Sequence, residues 1–199
     1  MLLDKKNIYA FDECSILHQC VIKAPEGFAV YFRGDTLCAR YYERLLTLLS
    51  QLNSNNIPKY KFVPSNFQKN IIKVTNQLIK DSGVDLSMLP NTAISVISDQ
   101  IEDFRDKIIP SYEDINKCDD IDAVKKIFES GNIGFEIDDD VPGDDDCKII
   151  AGYDKISCEG KKYLISDDKH FKKNWKIINE KYKIGIVPES RCHELCKSS

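Results

Sequence analysis

Short apolar runs alternate with helical segments along the chain, and this alternation constrains the fold more than any other feature of the sequence. Four runs have the composition of buried strands: residues 7–11 (NIYAF), 60–63 (YKFV), 162–166 (KYLIS) and 183–187 (KIGIV). Strands that are separated by helices pair in parallel, because each crossover returns the chain to the same edge of the sheet. We therefore predict an α/β fold with three α/β/α layers and a central, mostly parallel sheet.

The segments between these runs are predicted to be helical. Helices are expected over residues 39–52, 65–79, 91–109 and 119–130, and from about Asp146 to Cys158. The clearest is 91–109, in which apolar residues recur every three or four positions until Pro110 ends the helix. Since no strand candidate falls within residues 86–130, we expect that range to be a helical insertion or cap on a single domain of residues 1–199.

Length and composition agree with one globular domain. The chain has 199 residues, of which 42% are hydrophobic and 30% charged, and this balance favours a buried core over a disordered chain. Asp4, Lys5 and Lys6 interrupt the apolar start, so no signal peptide is predicted. No apolar run approaches the roughly 20 residues of a membrane helix. We expect a cytoplasmic protein that does not bind a membrane.

Most of the eight cysteines are predicted to be reduced. A chain without a secretion signal is expected to stay in a reducing compartment, where thiols behave as small core residues. Near the end of the chain, Cys192, His193 and Cys196 could form half of a zinc site or supply a disulfide. No CxxC pair elsewhere completes a four-ligand set, so an ordinary terminal tail is the preferred interpretation.

Charge is unevenly distributed along the chain. The formal net charge of −4 gives no sign of nucleic-acid binding. However, residues 136–146 are strongly acidic, whereas residues 161–183 carry most of the lysines of the C-terminal third. An enzyme that cleaves nucleic acid needs both kinds of region, because carboxylates hold metal ions and cations hold phosphates.

Three aspartates that are distant in sequence are predicted to meet at one edge of the sheet. Asp12 ends the first strand, Asp167 and Asp168 follow the strand 162–166, and Asp146 opens the helix before that strand. Ligands bind beyond the carboxyl ends of parallel strands, so Asp12, Asp146 and Asp168 have a physical reason to converge there. Clustered carboxylates repel one another unless a cation lies between them, and Mg²⁺ or Mn²⁺ is a hard cation that accepts oxygen ligands.

The same aspartates lie in three motifs that resemble the PIN-domain family of metal-dependent ribonucleases. These are IYAFDECSIL around Asp12, DCKIIAGY from Asp146, and YLISDDKHF, in which Ser166, Asp168 and Phe171 fit a Thr/Ser-x-Asp-x-x-Phe ending. The resemblance implies a PIN-like fold and one or two Mg²⁺ or Mn²⁺ ions held by the three aspartates. It also implies cleavage of single-stranded RNA.

One departure from the family concerns a glutamate in the helix after the second strand. Asn70 stands about where this glutamate is expected, and Glu43 in the preceding helix is the alternative. An asparagine can ligate a metal ion through its carbonyl oxygen but supplies no charge, so the metal affinity would be lower.

Each aspartate also has a structural interpretation. Asp146 is a good helix N-cap, Asp168 stands at the start of a predicted helix, and aspartate is favoured in turns such as the one after Asp12. Asp144 and Asp145 are predicted to be solvated loop charges.

Cations and aromatic residues follow Asp168 in the segment 169–176. We expect an ordinary amphipathic helix with Phe171 and Trp175 packed inward; the alternative is a surface that holds an RNA backbone and stacks on an unpaired base. His18 and His170 are predicted to be structural or surface residues.

These observations predict a metal-dependent endoribonuclease in which Asp12, Asp146 and Asp168 hold Mg²⁺ or Mn²⁺. Its expected partner is single-stranded or structured RNA, and a second copy of the chain or another protein is the alternative partner. A PIN-like module that binds RNA or protein without cleaving is the first rival. A phosphatase with Asp12 as nucleophile is the second, and it is disfavoured because Cys14 occupies the place of the acid that such enzymes need.

Overall fold

Five parallel strands form the centre of the structure, a computed structural model that describes residues 3–12, 15, 47–63, 112–114, 121–131 and 143–196. The strands are β1 (Ile8–Asp12), β2 (Lys59–Val63), β3 (Tyr112–Asp114), β4 (Lys162–Ile165) and β5 (Ile184–Val187). They lie in the order β3-β2-β1-β4-β5, and all four neighbouring pairs are parallel. The predicted α/β class and parallel sheet are confirmed.

Helices connect and cover the strands. Within the described residues they are α1 (47–54), α2 (Asp122–Gly131), α3 (Asp144–Lys155), α4 (Lys169–Lys173), α5 (Trp175–Tyr182) and α6 (Cys192–Cys196), with a 3₁₀ turn at Glu189–Arg191. The helix predicted from Asp146 starts two residues earlier. The helices predicted over 65–79 and 91–109 lie outside the described residues. None of the described helices is long and apolar enough to cross a membrane.

The expectation of an uninterrupted helical insertion over residues 86–130 is wrong at β3. This strand pairs with β2 from Lys61 to Val63, and it therefore belongs to the sheet. The strand escaped prediction because it has only three residues, Tyr112, Glu113 and Asp114, and one apolar side chain is too few to show an alternating pattern. Val124 and Phe128 of helix α2 belong to the main hydrophobic core.

The strand order reverses between β1 and β4. From β1 the chain adds β2 and β3 on one side, and it later adds β4 and β5 on the other side. At such a reversal, the connections from the two central strands leave in opposite directions and open a gap at the carboxyl ends of the strands. The carboxyl ends of β1 and β4 are therefore the place where the fold favours a ligand site.

Both faces of the sheet are buried, as expected for parallel strands. Ile8 and Ala10 of β1 face α2, α3 and α5, and they share one core with apolar residues of those helices. Tyr9 and Phe11 point to the opposite face and are also buried. There the Tyr9 ring stacks on Tyr163, with 5.3 Å between the ring centroids. All five residues of β1 are buried, so β1 is the central strand.

Tyr153 fixes the end of α3 to the two central strands. Its hydroxyl lies 2.9 Å from the carbonyl oxygen of Ile8 and 3.0 Å from that of Tyr163, and it accepts a hydrogen bond from the Tyr163 amide at 3.1 Å. The side chain is fully buried, so these bonds have no competition from water. As a result, the C-terminal end of α3 is held at the edge of the sheet where β1 and β4 begin.

We predict that Tyr153→Phe lowers the free energy of unfolding by about 1–3 kcal/mol, because buried backbone groups of β1 and β4 lose their hydroxyl partner. Urea denaturation followed by circular dichroism measures the change. Tyr60→Phe is the control, since the Tyr60 hydroxyl has no hydrogen bond to a described residue. Equal losses in the two variants would contradict this role of the Tyr153 hydroxyl.

Candidate acidic site at the carboxyl edge of the sheet

Asp12 and Ser166 face each other across β1 and β4. The two strands pair with Ala10 opposite Leu164 and Phe11 opposite Ile165, so the next step of the register sets Asp12 beside Ser166. Side chains alternate along a strand, and both residues therefore point to the face that α3 covers. The Ser166 hydroxyl donates a short hydrogen bond to Oδ2 of Asp12.

The surroundings of Asp12 hold its carboxylate in one orientation. Oδ1 accepts a hydrogen bond of 2.7 Å from the Ser15 amide, and the Ser15 hydroxyl donates to the carbonyl of Ile165 at 3.0 Å. Ser166 Oγ accepts a hydrogen bond of 3.0 Å from the Asp168 amide. The Ser166 hydroxyl thus links the Asp12 carboxylate to the backbone of Asp168.

Burial raises the pKa of Asp12 from 3.8 to about 6. Only 3% of the residue is exposed, and the loss of hydration disfavours the ionised form. Hydrogen bonds from Ser166 and Ser15 oppose this effect, and the charge of the buried Glu189 adds to it. Asp12 is therefore a carboxyl group that changes its charge close to neutral pH.

The direction of α3 places Asp146 at the same edge. Helix α3 returns the chain to the start of β4, so it runs antiparallel to the strands and begins at their carboxyl ends. Asp146 lies in its first turn, where Oδ2 accepts a hydrogen bond of 3.1 Å from the Gly143 amide. A carboxylate in the first turn is also stabilised by the helix dipole.

Asp168 begins the next helix and meets Asp146 through His170. As the N-cap of α4, Asp168 accepts a hydrogen bond of 2.7 Å from the His170 amide at Oδ1. His170 Nδ1 lies 2.9 Å from Oδ2 of Asp146 and 3.3 Å from Oδ1 of Asp168. One ligand atom from each of the three residues lies within 4.8 Å of the other two. We call Asp146, Asp168 and His170 the acidic triad.

The acidic triad combines burial with repulsion between its carboxylates. The pKa of Asp146 is raised, first by its burial and then by the negative charge of Asp168. Hydrogen bonds from Gly143 and His170 oppose this shift. A cation near these oxygen atoms would favour both ionised carboxylates, so the arrangement is suited to a positive ligand.

The structure brings two of the three predicted aspartates into one group. Asp146 and Asp168 converge, whereas Asp12 is connected to them through Ser166 and is not a member of the triad. The structural interpretation is confirmed for Asp168, which is the N-cap of α4, but Asp146 is not an N-cap: Gly143 caps α3, and Asp146 accepts the Gly143 amide from within the first turn. The two interpretations are compatible because each carboxylate has two oxygen atoms and several lone pairs.

Sequence reasoning missed the part that His170 plays. We expected a structural or surface residue, but its ring lies between the carboxylates of Asp146 and Asp168. The sequence did contain a signal for this contact, since His170 stands only two residues after Asp168, in the first turn of α4.

The neighbouring acidic residues form ion pairs outside the acidic triad. Asp144 and Asp145 are exposed and form ion pairs with Lys125 and Lys148, in agreement with their prediction as solvated charges. The Asp167 carboxylate lies 3.6 Å from the ammonium group of Lys172.

The expected inward packing of Trp175 is wrong. Phe171 is buried, but Trp175 is 48% exposed. The helix predicted as continuous is divided at Asn174, which ends α4 and precedes α5. Residues 171 and 175 therefore do not share one helical face.

Several predicted residues lie outside the described part of the chain. They are Cys14, His18, Glu43 and Asn70. At the other end of the chain, Cys192 is buried and Cys196 is half-buried, and both are free thiols.

Comparison with protein-family models, with curated proteins and with solved structures gave no match to this chain.

We predict that Asp12→Asn raises the free energy of unfolding of the metal-free protein at pH 7 by up to about 3 kcal/mol, at 1.36 kcal/mol per pKa unit. The folded protein binds more protons than the unfolded chain between about pH 4 and 6, so its stability falls as the pH rises through this window. Asparagine is neutral, and its side-chain amide can still accept a hydrogen bond from the Ser15 amide and donate one to the Ser166 hydroxyl.

Urea denaturation in EDTA at pH 7 and pH 4 measures this effect. The gain should be small at pH 4, where Asp12 is protonated in the folded protein. Asp145→Asn, at an exposed position, is the matched control. A gain that is equal at the two pH values would contradict the assignment to the Asp12 charge.

Proposed function

We propose that this protein is a metal-dependent endoribonuclease that hydrolyses phosphodiester bonds of single-stranded RNA. The convergence of Asp146, Asp168 and His170 at the carboxyl edge of the sheet carries the proposal. Further support comes from the strand reversal beside β1 and from the motifs around Asp12 and Asp168 that resemble the PIN-domain family. A PIN-like fold is part of the same proposal.

The donor atoms of the acidic triad fit a divalent metal ion. Two carboxylate oxygens are ligands for Mg²⁺ and Mn²⁺, and the imidazole nitrogen of His170 is a ligand for transition metals. A mixed set of this kind favours Mn²⁺ over Mg²⁺. When bound, such an ion supplies Lewis acidity toward a phosphoryl group.

The residues at this site would have different roles. Asp146, Asp168 and His170 would hold the ion. Asp12 would position Asp168, because the Ser166 hydroxyl is bonded both to the Asp12 carboxylate and to the Asp168 amide. The direct coordination of metal by Asp12 that the family resemblance implies stays a prediction.

The alternative is a PIN-like module that binds RNA or protein without cleaving it. It is favoured by the internal hydrogen bonds of the triad, since the carboxylates of Asp146 and Asp168 already have partners in Gly143 and His170. A site that is satisfied by its own bonds has less to gain from a metal ion.

We predict that Asp168→Asn lowers the rate of cleavage of a fluorescent single-stranded RNA by at least about 100-fold. The variant removes one negative charge from the triad and so weakens the binding of the ion. Asp145→Asn is the matched control, one residue from the triad member Asp146, and it should retain activity. Cleavage rates are measured with Mn²⁺ and with Mg²⁺, after removal of metals by EDTA.

Two results would count against the endoribonuclease. Equal cleavage rates in Asp168→Asn and the unchanged protein would show that the activity resides elsewhere. Tight RNA binding without cleavage in either metal would favour the binding module.

We predict that His170→Ala lowers the affinity for Mn²⁺ by about 10- to 100-fold and changes the affinity for Mg²⁺ less. Isothermal titration calorimetry measures both affinities. The control is His193→Ala, because the His193 ring is bonded to the carbonyl of Ser190 in another part of the fold. A His170→Ala variant with unchanged Mn²⁺ affinity would remove His170 from the ligand set.

A further inference from the structure

Trp175 is the only large hydrophobic side chain that is exposed among the described residues. It is also the single tryptophan of the chain. Helices α4 and α5 bury Phe171 and Ile178 in the core, so the Trp175 ring is left facing water while its neighbours stabilise the fold. A large aromatic ring in water is suited to contact with another flat, apolar surface.

The segment that contains Trp175 is strongly basic. Residues 169–183 contain six lysines and one glutamate, a local net charge of +5, although the chain as a whole carries −4. The lysines are all exposed: Lys169, Lys172, Lys173, Lys176, Lys181 and Lys183. The Lys176 ammonium lies 5.8 Å from the centroid of the Trp175 ring. A ligand at this ring therefore lies among positive charges, which favours a polyanion.

The Trp175 ring belongs to the same stretch of chain as the acidic triad. It lies seven positions after Asp168, across the break between α4 and α5 at Asn174. The turn between them is fixed, since the buried Asn174 donates two hydrogen bonds to the His170 carbonyl, at 3.1 Å from its amide and 2.9 Å from its side chain. The backbone at the start of α5, which carries Trp175, is therefore fixed relative to α4.

We propose that Trp175 stacks on an unpaired base of single-stranded RNA while the lysines of residues 169–183 bind the phosphates on either side of that base. This inference rests on the proposed function for the choice of RNA as ligand. An aromatic ring stacks readily on any unpaired base, whereas bases in a duplex are already stacked on one another. We call Trp175 and these lysines the basic platform.

The single tryptophan provides a direct test. A 12-nucleotide oligouridine is titrated into the full chain in EDTA, which prevents metal-dependent cleavage, and the intrinsic fluorescence is recorded. Stacking is expected to quench the fluorescence and to saturate with one dissociation constant. The same dissociation constant is expected from the anisotropy of a labelled oligouridine. A duplex RNA of equal length should quench less.

Substitutions then separate stacking from charge. Trp175→Ala should weaken binding at least about fivefold, and Trp175→Phe should restore part of the loss, because the smaller aromatic ring can still stack on a base. Lys176→Ala should reduce the slope of the logarithm of the affinity against the logarithm of salt concentration by about 0.7. Lys126→Ala, an exposed lysine of α2, is the matched control and should bind as the unchanged protein does.

The outcomes distinguish this inference from the proposed function. Unchanged fluorescence, equal binding of duplex RNA, or equal affinity in Trp175→Ala would overturn the basic platform, even if the protein cleaves RNA. If circular dichroism shows that Trp175→Ala does not fold, the test of the basic platform uses the fluorescence quenching of the unchanged protein and the RNA affinity of Trp175→Phe. RNA binding that depends on Trp175, without cleavage in any divalent metal, would support the basic platform and contradict the proposed endoribonuclease activity.

Discussion

The hydrogen bond between Ser166 and Asp12 is the interaction on which the site depends. This bond joins β1 and β4 at the point where the strand order reverses. The same Ser166 hydroxyl also accepts a hydrogen bond from the amide of Asp168. The start of α4 is fixed in this way, and α4 in turn brings His170 to Asp146. Without this bond, the Ser166 hydroxyl group that binds the Asp168 amide would no longer be tied to β1.

The site combines features that oppose stability. Burial raises the pKa of the Asp12 carboxyl group to about 6, and Asp146 is close to the like charge of Asp168. Elsewhere the fold follows the ordinary rules of burial, with apolar side chains on both faces of β1 and with Tyr153 satisfying the backbone of the central strands. Local departures of this kind are expected where charge is needed for a function and the surrounding structure compensates for it.

The sequence was sufficient to predict the strands that frame the site, because each is a short apolar run and Asp12, Ser166 and Asp168 stand where such runs end. The Asp146 helix was predictable for the same reason, since a cluster of acids before an apolar stretch is typical of a helix start. β3 was not predictable, because pairing with β2 rather than its own composition makes it a strand. Trp175 was misjudged because its exposure depends on where α4 ends, and asparagine at position 174 is tolerated within a helix as well as at its end.

The acidic triad and the basic platform share helix α4. Lys169 directly follows Asp168, and the Lys172 ammonium group lies 3.6 Å from the Asp167 carboxylate, whereas Lys176, Lys181 and Lys183 follow the break at Asn174. The lysines after Asn174 would therefore attract phosphates with less loss to the carboxylates than the lysines of α4. The net charge of −4 does not show this distribution, because it sums the acidic and the basic regions of the chain. Because α4 carries His170 and leads directly into Trp175, a change in the length of that helix would alter the distance between the acidic triad and the Trp175 ring.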